Sequence, residues 1–482
     1  MSAVDGWPDV PEPGTVPAAE IDARRCADRA GTDLEAVHHT FTKWLGQEYD
    51  TAALDVVLAT AAVECLDGDP LWTLLLSGSG NAKTETVQAL SEAGAIVTST
   101  ISSTGALLSA TSQKERAVDA TGGLLRTLEP RGVLVVKDMT SILSMNRDAR
   151  AEVLAALREV YDGQWSRNVG TDGGRTLEWV GRIAVIGAVT TAWDRAHDVI
   201  ASMGDRFVVV RMDSYGGRQA AGRRAIGNTG HEVQMRADLA AAVAGVLAGV
   251  DPAAAVTVTA HETDVLLAAA DVVTLARTGV DYDYRGDVID AHAPEMPTRF
   301  AKQLTQVVRG GVAIGMDRTD ALRLALRCAR DSLPPLRLAI LDDIARHPHS
   351  PTKDVRQRLG KPRTTVDRQL QALNMLGVLD VEEQESERAG RTVTLWHYTL
   401  AAGITPTVLD PDPVPDLLVP PQPNREASKG WTALRLPTNK SGTETATDDT
   451  SQDSREATRC AACGEPMLDL GDGATTHPGC GR

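Results

Sequence analysis

The sequence predicts a multidomain chain organised around a parallel α/β sheet, followed by a helical subdomain and then by a helix-turn-helix unit closed by two strands. Three observations predict it. Short apolar runs alternate with helix-like stretches between Leu71 and Arg211 (LWTLLLSG, AIVTST, GVLVVKD, RIAVIGAVT, RFVVVRM), the pattern of a sheet covered on both faces. The first run ends at Leu76 and passes directly through a Gly-rich turn into a helix opened by Lys83 and Thr84. A length of 482 residues exceeds what one core ordinarily supports, so several function-bearing units are expected.

The elements follow in order. Residues 1–20 are rich in Pro, Gly and acidic side chains without periodicity and read as a disordered lead-in. Residues 21–70 make a helical segment, because Val37, Phe41, Trp44 and Leu45, then Leu54, Val57 and Leu58, recur at helical spacing. The α/β core takes 71–234. A helical subdomain follows over 235–333, clearest in MRADLAAAVAGVLAGV and PTRFAKQLTQVVRGG. From Pro334, residues 334–402 give three helical patterns and then VLDVEEQE and RTVTLWHYTL as strands, a winged helix in outline. Pro, Asp, Ser and Thr dominate 403–458, which reads as a flexible linker before a small tail at 459–482.

Composition narrows the function classes. No stretch approaches the ~20 uncharged apolar residues of a membrane span, and the start lacks the basic and apolar regions of a secretion signal, so a cytoplasmic protein is expected. Cys26, Cys65 and Cys328 lie singly in apolar contexts and read as buried thiols. A net charge of −16 argues against non-specific coating of nucleic acid, so any DNA contact must be local.

The turn SGSGNAKTETVQAL after the first strand has the make-up of a phosphate cradle. Gly78 and Gly80 permit the turn, and Asn81, Ala82 and Glu85 flank the central pair. Lys83 meets the β- and γ-phosphates of ATP, and Thr84 ligates Mg²⁺. Ser77 and Ala82 stand where the strict G-x-x-x-x-G-K-[ST] pattern has glycine. GVLVVKD puts Asp138 at the end of a buried strand, where a magnesium- or water-orienting carboxylate belongs.

With these residues the segment from Leu71 to Gly310 resembles an AAA+ P-loop ATPase. The resemblance implies that Thr190 and Thr191, closing RIAVIGAVTTAWD, stand at the sensor-1 position. It implies that Arg206 in MGDRFVVVRM is an arginine finger reaching a neighbour's site, with Arg211 as a second candidate. Arg299 in PTRFAKQL matches a sensor-2 arginine on a helical lid. In the Walker B register Lys137 occupies the slot of the metal-binding acid and Asp138 that of the catalytic acid. The segment GQWSRNVGTDGGRTLEWVGR looks like the hairpin inserted in the helicase-like and enhancer-binding branches, and its plain alternative is an ordinary surface hairpin. A homo-oligomeric ring, a hexamer by resemblance, follows.

In the 334–402 unit, SPTKDVRQRL and RTTVDRQLQALNMLG flank the Gly360 turn at helix-turn-helix spacing. Arg363, Thr364, Thr365, Arg368 and Gln369 lie near the start of the second helix, where side chains reach base edges or phosphates of DNA. Cys460-Ala-Ala-Cys463 and His477-Pro-Gly-Cys480 are two paired clips supplying three thiolates and an imidazole, a set that favours a structural tetrahedral Zn²⁺.

Core, lid and C-terminal winged helix in this order resemble minichromosome-maintenance helicases and the replication ATPases of phages and mobile elements, and the low-Lys, high-Ala and high-Arg usage suits an actinobacterial source. The leading reading is an ATP-dependent DNA-remodelling ATPase, a helicase or helicase loader, working with replication proteins. The alternative is a nucleotide-sensing, DNA-binding transcriptional regulator with little turnover. Enhancer-dependent activation is weakened by the lack of a loop resembling GAFTGA.

Overall fold

The helical periodicity ahead of the first strand is met by two helices, α1 (Leu34–Leu45) and α2 (Thr51–Val63). In the computed structural model the described residues are 34–411 apart from 112–116, 118–119, 196–205, 214–215, 254–255 and 389–390. The chain divides into two units, Met1–Pro420 and Pro421–Arg482, and every described residue belongs to the first. Helix α2 is enclosed on all sides: from Ala53 to Val63 every residue is buried, and its two polar side chains there, Asp55 and Thr60, are hydrogen-bonded to His38 and to Thr73.

The core comprises β1 (Trp72–Leu76), α3 (Lys83–Gln88), β2 (Ile96–Thr98), β3 (Arg131–Val136), α4 (Arg147–Tyr161), the hairpin β4 (Gln164–Val169) and β5 (Arg175–Val180), β6 (Arg182–Val189) and β7 (Val208–Arg211). Five of the strands form a wholly parallel sheet in the order β2-β3-β6-β1-β7, an α/β fold compatible with a P-loop NTPase. Alternate residues divide between its faces. Leu75, Val135, Ile186, Val208 and Val210 face the cluster built by α2 and the later helices. Leu74, Leu76, Leu134, Val136, Val185 and Val209 face a second cluster under α4 and the β4–β5 hairpin, where Trp165 and Trp179 stand directly opposite each other.

The segment expected to be a helical subdomain, residues 235–333, is less uniformly helical than the sequence predicts. Helices α5 (Arg218–Gly227), α6 (Glu232–Ala248) and α7 (Ala260–Ala276) lead into an antiparallel hairpin, β8 (Val280–Tyr282) and β9 (Val288–Ala291), before α8 (Thr298–Ala313) and α9 (Arg318–Asp331). Strands of only three and four residues, each broken by an aspartate (Asp281, Asp290), are too short for their Val, Ile and Tyr to show as an alternating pattern, which is why the pattern hid them. Helix α7 starts in a full capping box, Thr259 with Glu262, and Arg318 of α9 grips both oxygens of that glutamate at 2.6 Å. Helix α8 lies so close to α2 that a β-carbon at Gly310 would collide with the Ala59 carbonyl.

The last described unit has α10 (Pro335–Arg346), β10 (Ser350–Pro351), α11 (Thr352–Leu359), α12 (Arg363–Met375), β11 (Leu379–Arg388) and β12 (Arg391–Leu400). Pro335 takes the first helical position, where a missing N–H costs nothing. Gly360, at φ +63°, ends α11 and sets the turn into α12. The two predicted strands form a long antiparallel ribbon, and β10 adds a third strand in the order β10-β12-β11. The chain then turns back, and Pro406 and Leu409, expected in the flexible linker, are buried in the core. Among the described residues no helix is long and apolar enough to cross a membrane.

Candidate functional site

In a parallel sheet all carboxyl ends share one edge. Strand β1 has later strands on both sides, β6 and β7, so the chain leaves it in one direction and returns on the other, and a crevice opens beyond its end. The loop 77–82 fills that position. It is pinned at its root: the Ser77 N–H donates to Val189 (3.3 Å), and the Met212 N–H donates to the Leu76 carbonyl (2.9 Å). Gly80 has φ +80°, and Ala82 is held in the left-handed region at φ +55°, ψ +7°, immediately before Lys83. The Lys83 ammonium turns back into the loop and donates to the Ser77 carbonyl (3.0 Å), the Ser77 hydroxyl (2.8 Å) and the Gly78 carbonyl (2.6 Å). Burial lowers its pKa.

Around it, the Asn81 amide donates to the Asp213 carbonyl (2.8 Å), tying the loop to the end of β7, and Thr84 is exposed. Glu85, read from the sequence as part of the cradle, instead forms a two-pronged pair with Arg236 of α6, both contacts 3.0 Å. Thr86 bonds the Tyr49 hydroxyl at 2.8 Å.

Asp138 belongs to the same edge. It follows β3, two strands from β1 and so about 10 Å away by strand spacing. Its side chain accepts from the Thr140 N–H (3.0 Å) and its own N–H donates to the Ser99 carbonyl (3.0 Å), leaving the residue exposed. The Thr140 hydroxyl accepts from the Thr190 N–H (3.0 Å), which joins the ends of β3 and β6, and Thr191 beside it is exposed. Gly78, Gly80, Asn81, Ala82, Lys83, Thr84, Asp138, Thr190 and Thr191 therefore occupy one edge of the sheet.

Arg206 and Arg299 do not. Arg206 precedes β7 and so lies at the amino-terminal edge, where it pairs with Asp162 (3.1 Å) and stacks over Tyr161. Arg299 starts α8 and pairs with Glu295 (2.8 Å). One turn on, the Gln303 amide donates to the Arg206 carbonyl (2.6 Å). Burial and the nearby Asp69 push the Tyr161 hydroxyl up to about 12, against the pull of Arg299 and Arg206, so both arginines reach the same neighbourhood. Arg299 thus does not face loop 77–82 of its own chain, where the sequence reading of a lid arginine would place it. Arg211 is at the loop's edge but fully engaged, with both oxygens of Asp194 (3.0 and 2.8 Å) and the Asp331 carbonyl (2.7 Å).

The residues expected to read DNA separate into two groups. Arg363, Thr364 and Thr365 are exposed on the first turn of α12. Arg368 and Gln369 are turned inward: Arg368 donates to the Arg285 carbonyl at the tip of the β8–β9 hairpin, and Gln369 accepts from Arg337 (2.9 Å) and lies 3.4 Å from the Tyr282 hydroxyl. The hairpin covers this part of the helix, which a reading of helical spacing alone could not foresee. Cys460, Cys463, His477 and Cys480 lie outside the described residues, and among those described no group of three or more His, Cys, Asp or Glu could hold a metal.

Sequence reasoning missed the supports of the site. Asp50 accepts two bonds from Arg327 of α9 (2.7 and 2.5 Å), and Arg327 also donates to the Arg211 carbonyl (2.8 Å), so α9 braces the loop edge. Arg337 is buried and donates to the Ala276 (2.8 Å) and Thr278 (2.6 Å) carbonyls, fastening α10 to the end of α7. The only signal for either was a charged residue on an otherwise apolar helical face.

No protein-family model matches the chain, and no curated protein matches it. Among solved structures it is similar to two apo A-form structures of the NrS-1 C-terminal region. One is 13% identical with a TM-score of 0.27, the other 10% identical with a TM-score of 0.24, and each comparison covers 78% of this chain and 78% of that chain.

Proposed function

We propose that the chain is an AAA+ type ATPase that remodels DNA in replication, acting as a homo-oligomeric ring with a winged helix formed by α10–α12 and β10–β12. The observation that carries the reading is Lys83, whose ammonium is drawn into the loop at the carboxyl end of β1 by three neutral oxygens that phosphate oxygens would replace. Residues 77–84 would hold the phosphates of ATP, with the exposed Thr84 toward Mg²⁺, which supplies charge neutralisation when bound. Asp138 and Thr190 are on the same edge and suit a carboxylate and a hydroxyl that orient water.

The edge opposite the loop holds Arg206 and Arg299 together, and charges placed there serve a neighbour's phosphates better than their own chain's. The tail set Cys460, Cys463, His477 and Cys480 has the donors of a closed structural zinc site, with no position left for a catalytic water. Lys137 beside Asp138 favours a second reading, a DNA-binding regulator that senses nucleotide without turnover.

Steady-state ATP hydrolysis, with and without DNA and over a range of protein concentrations, separates the two. DNA-stimulated turnover that rises cooperatively with concentration and is lost in Lys83→Ala supports the motor. ATP binding that requires Lys83 without any turnover leaves the regulator.

A further inference from the structure

The surface of α12 beyond its first turn is already occupied. Arg368 is capped by the Arg285 carbonyl, Gln369 meets Tyr282, and the tip residue Gly286 is so close that a β-carbon there would strike the Arg368 guanidinium. The occupying hairpin is acidic. Between Val280 and Ala291 it carries Asp281, Asp283, Asp287 and Asp290 against the single Arg285, and it lies on α12 at Arg368 and Gln369, beyond the basic residues Lys361 and Arg363 that flank the helix start.

The two partners are held unequally. Helix α12 is fixed from behind by buried Val366, Leu370 and Leu373 and by Arg337, which bonds Gln369 and two carbonyls of the neighbouring subdomain. The hairpin has two short strands with a register shift at Asp281/Tyr282. Only Val280 is buried, and Tyr284 and Ile289 are 88% and 60% exposed. An isolated two-stranded hairpin is marginal in water, so this one depends on the surface it leans on.

We propose that the β8–β9 hairpin is an acidic mask over the nucleic-acid surface of α12, displaced when the phosphates of duplex DNA compete with it for Arg368. The proposal rests on the reading of α12 as a DNA-contacting helix. DNA first meets Lys361, Arg363, Thr364 and Thr365, which are exposed with the mask in place. Full engagement then frees Arg368, and the hairpin moves while α12 does not. Masking lowers apparent affinity by the fraction of time the surface is open, so a hairpin closed nine-tenths of the time costs about tenfold.

The test uses the full chain and a fluorescent mixed-sequence DNA duplex. Gly286→Val puts a branched side chain at φ +80° and so unsettles the hairpin tip, and Asp287→Asn with Asp290→Asn neutralises exposed charge without touching the turn, which Asp283 organises by accepting from the Arg285 and Asp287 N–H groups (both 2.8 Å). Both variants are expected to bind the duplex about tenfold more tightly, and bound duplex is expected to speed amide exchange in residues 280–291 of the wild type. Unchanged or weaker binding by both variants, while Arg363→Ala still weakens it, overturns the mask and leaves DNA binding by α12 standing. Tight binding with the exchange of 280–291 unaltered also overturns the mask. No binding by wild type or by either variant removes both readings.

Discussion

The ammonium nitrogen of Lys83 lies 2.6 Å from the carbonyl oxygen of Gly78, five residues earlier in the same loop. The charge is buried and its pKa lowered, so it is held by neutral oxygens that a phosphate oxygen can outbid. Lys83→Met is expected to leave the urea midpoint of unfolding nearly unchanged. It should weaken binding of a fluorescent ATP analogue by about tenfold or more, because a hydrogen bond to a charged group contributes about 1.5–3 kcal/mol. Equal affinity in the two proteins would overturn the proposed role of the loop in holding phosphates.

Ala82 carries a side chain where the backbone is left-handed, at φ +55°. That conformation costs an L-residue with a β-carbon about 1–2 kcal/mol, and glycine's greater freedom in the unfolded chain returns part of it. Ala82→Gly is therefore expected to stabilise by roughly 0.5–1 kcal/mol, and Ala82→Val, whose branch suits φ above zero least, to destabilise by about 2 kcal/mol. Chemical denaturation measures both, and the same sign for the two substitutions would contradict the geometry.

One substitution should have opposite effects on two helices. At Gly310 a methyl group meets the Ala59 carbonyl, so Gly310→Ala should cost about 1–3 kcal/mol by forcing α8 away from α2. At Gly222, within the exposed helix α5, nothing lies within 4 Å of a new β-carbon, and Gly222→Ala should gain about 0.5–1 kcal/mol of helix propensity. Denaturant midpoints that move the same way for both would show the α2–α8 contact to be looser than described.

His38 on α1 bonds Asp55 on α2 at 2.6 Å, and that bond, opposed by burial and helped by Glu35, raises the imidazole above its ordinary 6.5. Burial raises the Asp55 carboxyl above 3.8 despite His38. In both cases the folded chain keeps a proton that the unfolded chain gives up, so stability falls as pH rises. The Asp55 part declines from pH 3.8 upward. The His38 part is fully present below pH 6.5 and disappears as pH passes its raised folded value. Unfolding free energies measured across about pH 5 to 9 should fall along the series, and His38→Gln should flatten the upper limb. An identical slope in the variant would assign the dependence to other groups.

How much of this was legible depended on how local the cause was. The strands around Leu75, Val135, Ile186 and Val209 were readable because burial on both faces demands an unbroken apolar run, and Lys83 because strand, turn and helix follow one another directly. The edge of the sheet on which Arg206 and Arg299 lie follows from strand direction and order, which local sequence does not encode. Nor could spacing say that Arg368 faces a neighbouring hairpin and Arg363 solvent, since both lie in one helix five residues apart and the difference comes from Tyr282 and Arg285. Strands β8 and β9 do carry β-formers in Val280, Tyr282, Val288 and Ile289, but segments of three and four residues, each interrupted by an aspartate, are too short to stand out as strands by pattern, and the ribbon leans on α12.

The apolar cluster that contains Val57 and Leu75 continues without a break through Leu322 to Ile340, Leu370 and Tyr398. Helix α9 runs along that seam, holding Asp50 at the loop edge through Arg327 and Asp342 of α10 through Arg330 (2.5 Å). The unit formed by α10–α12 and β10–β12 is therefore not a detachable cartridge. A fragment ending at Leu333 would bare the patch that Ile340 and Ile344 cover, and a chimera joined at Pro334 would carry an ill-fitting seam, so any exchange of this unit has to bring the matching face of α9 with it.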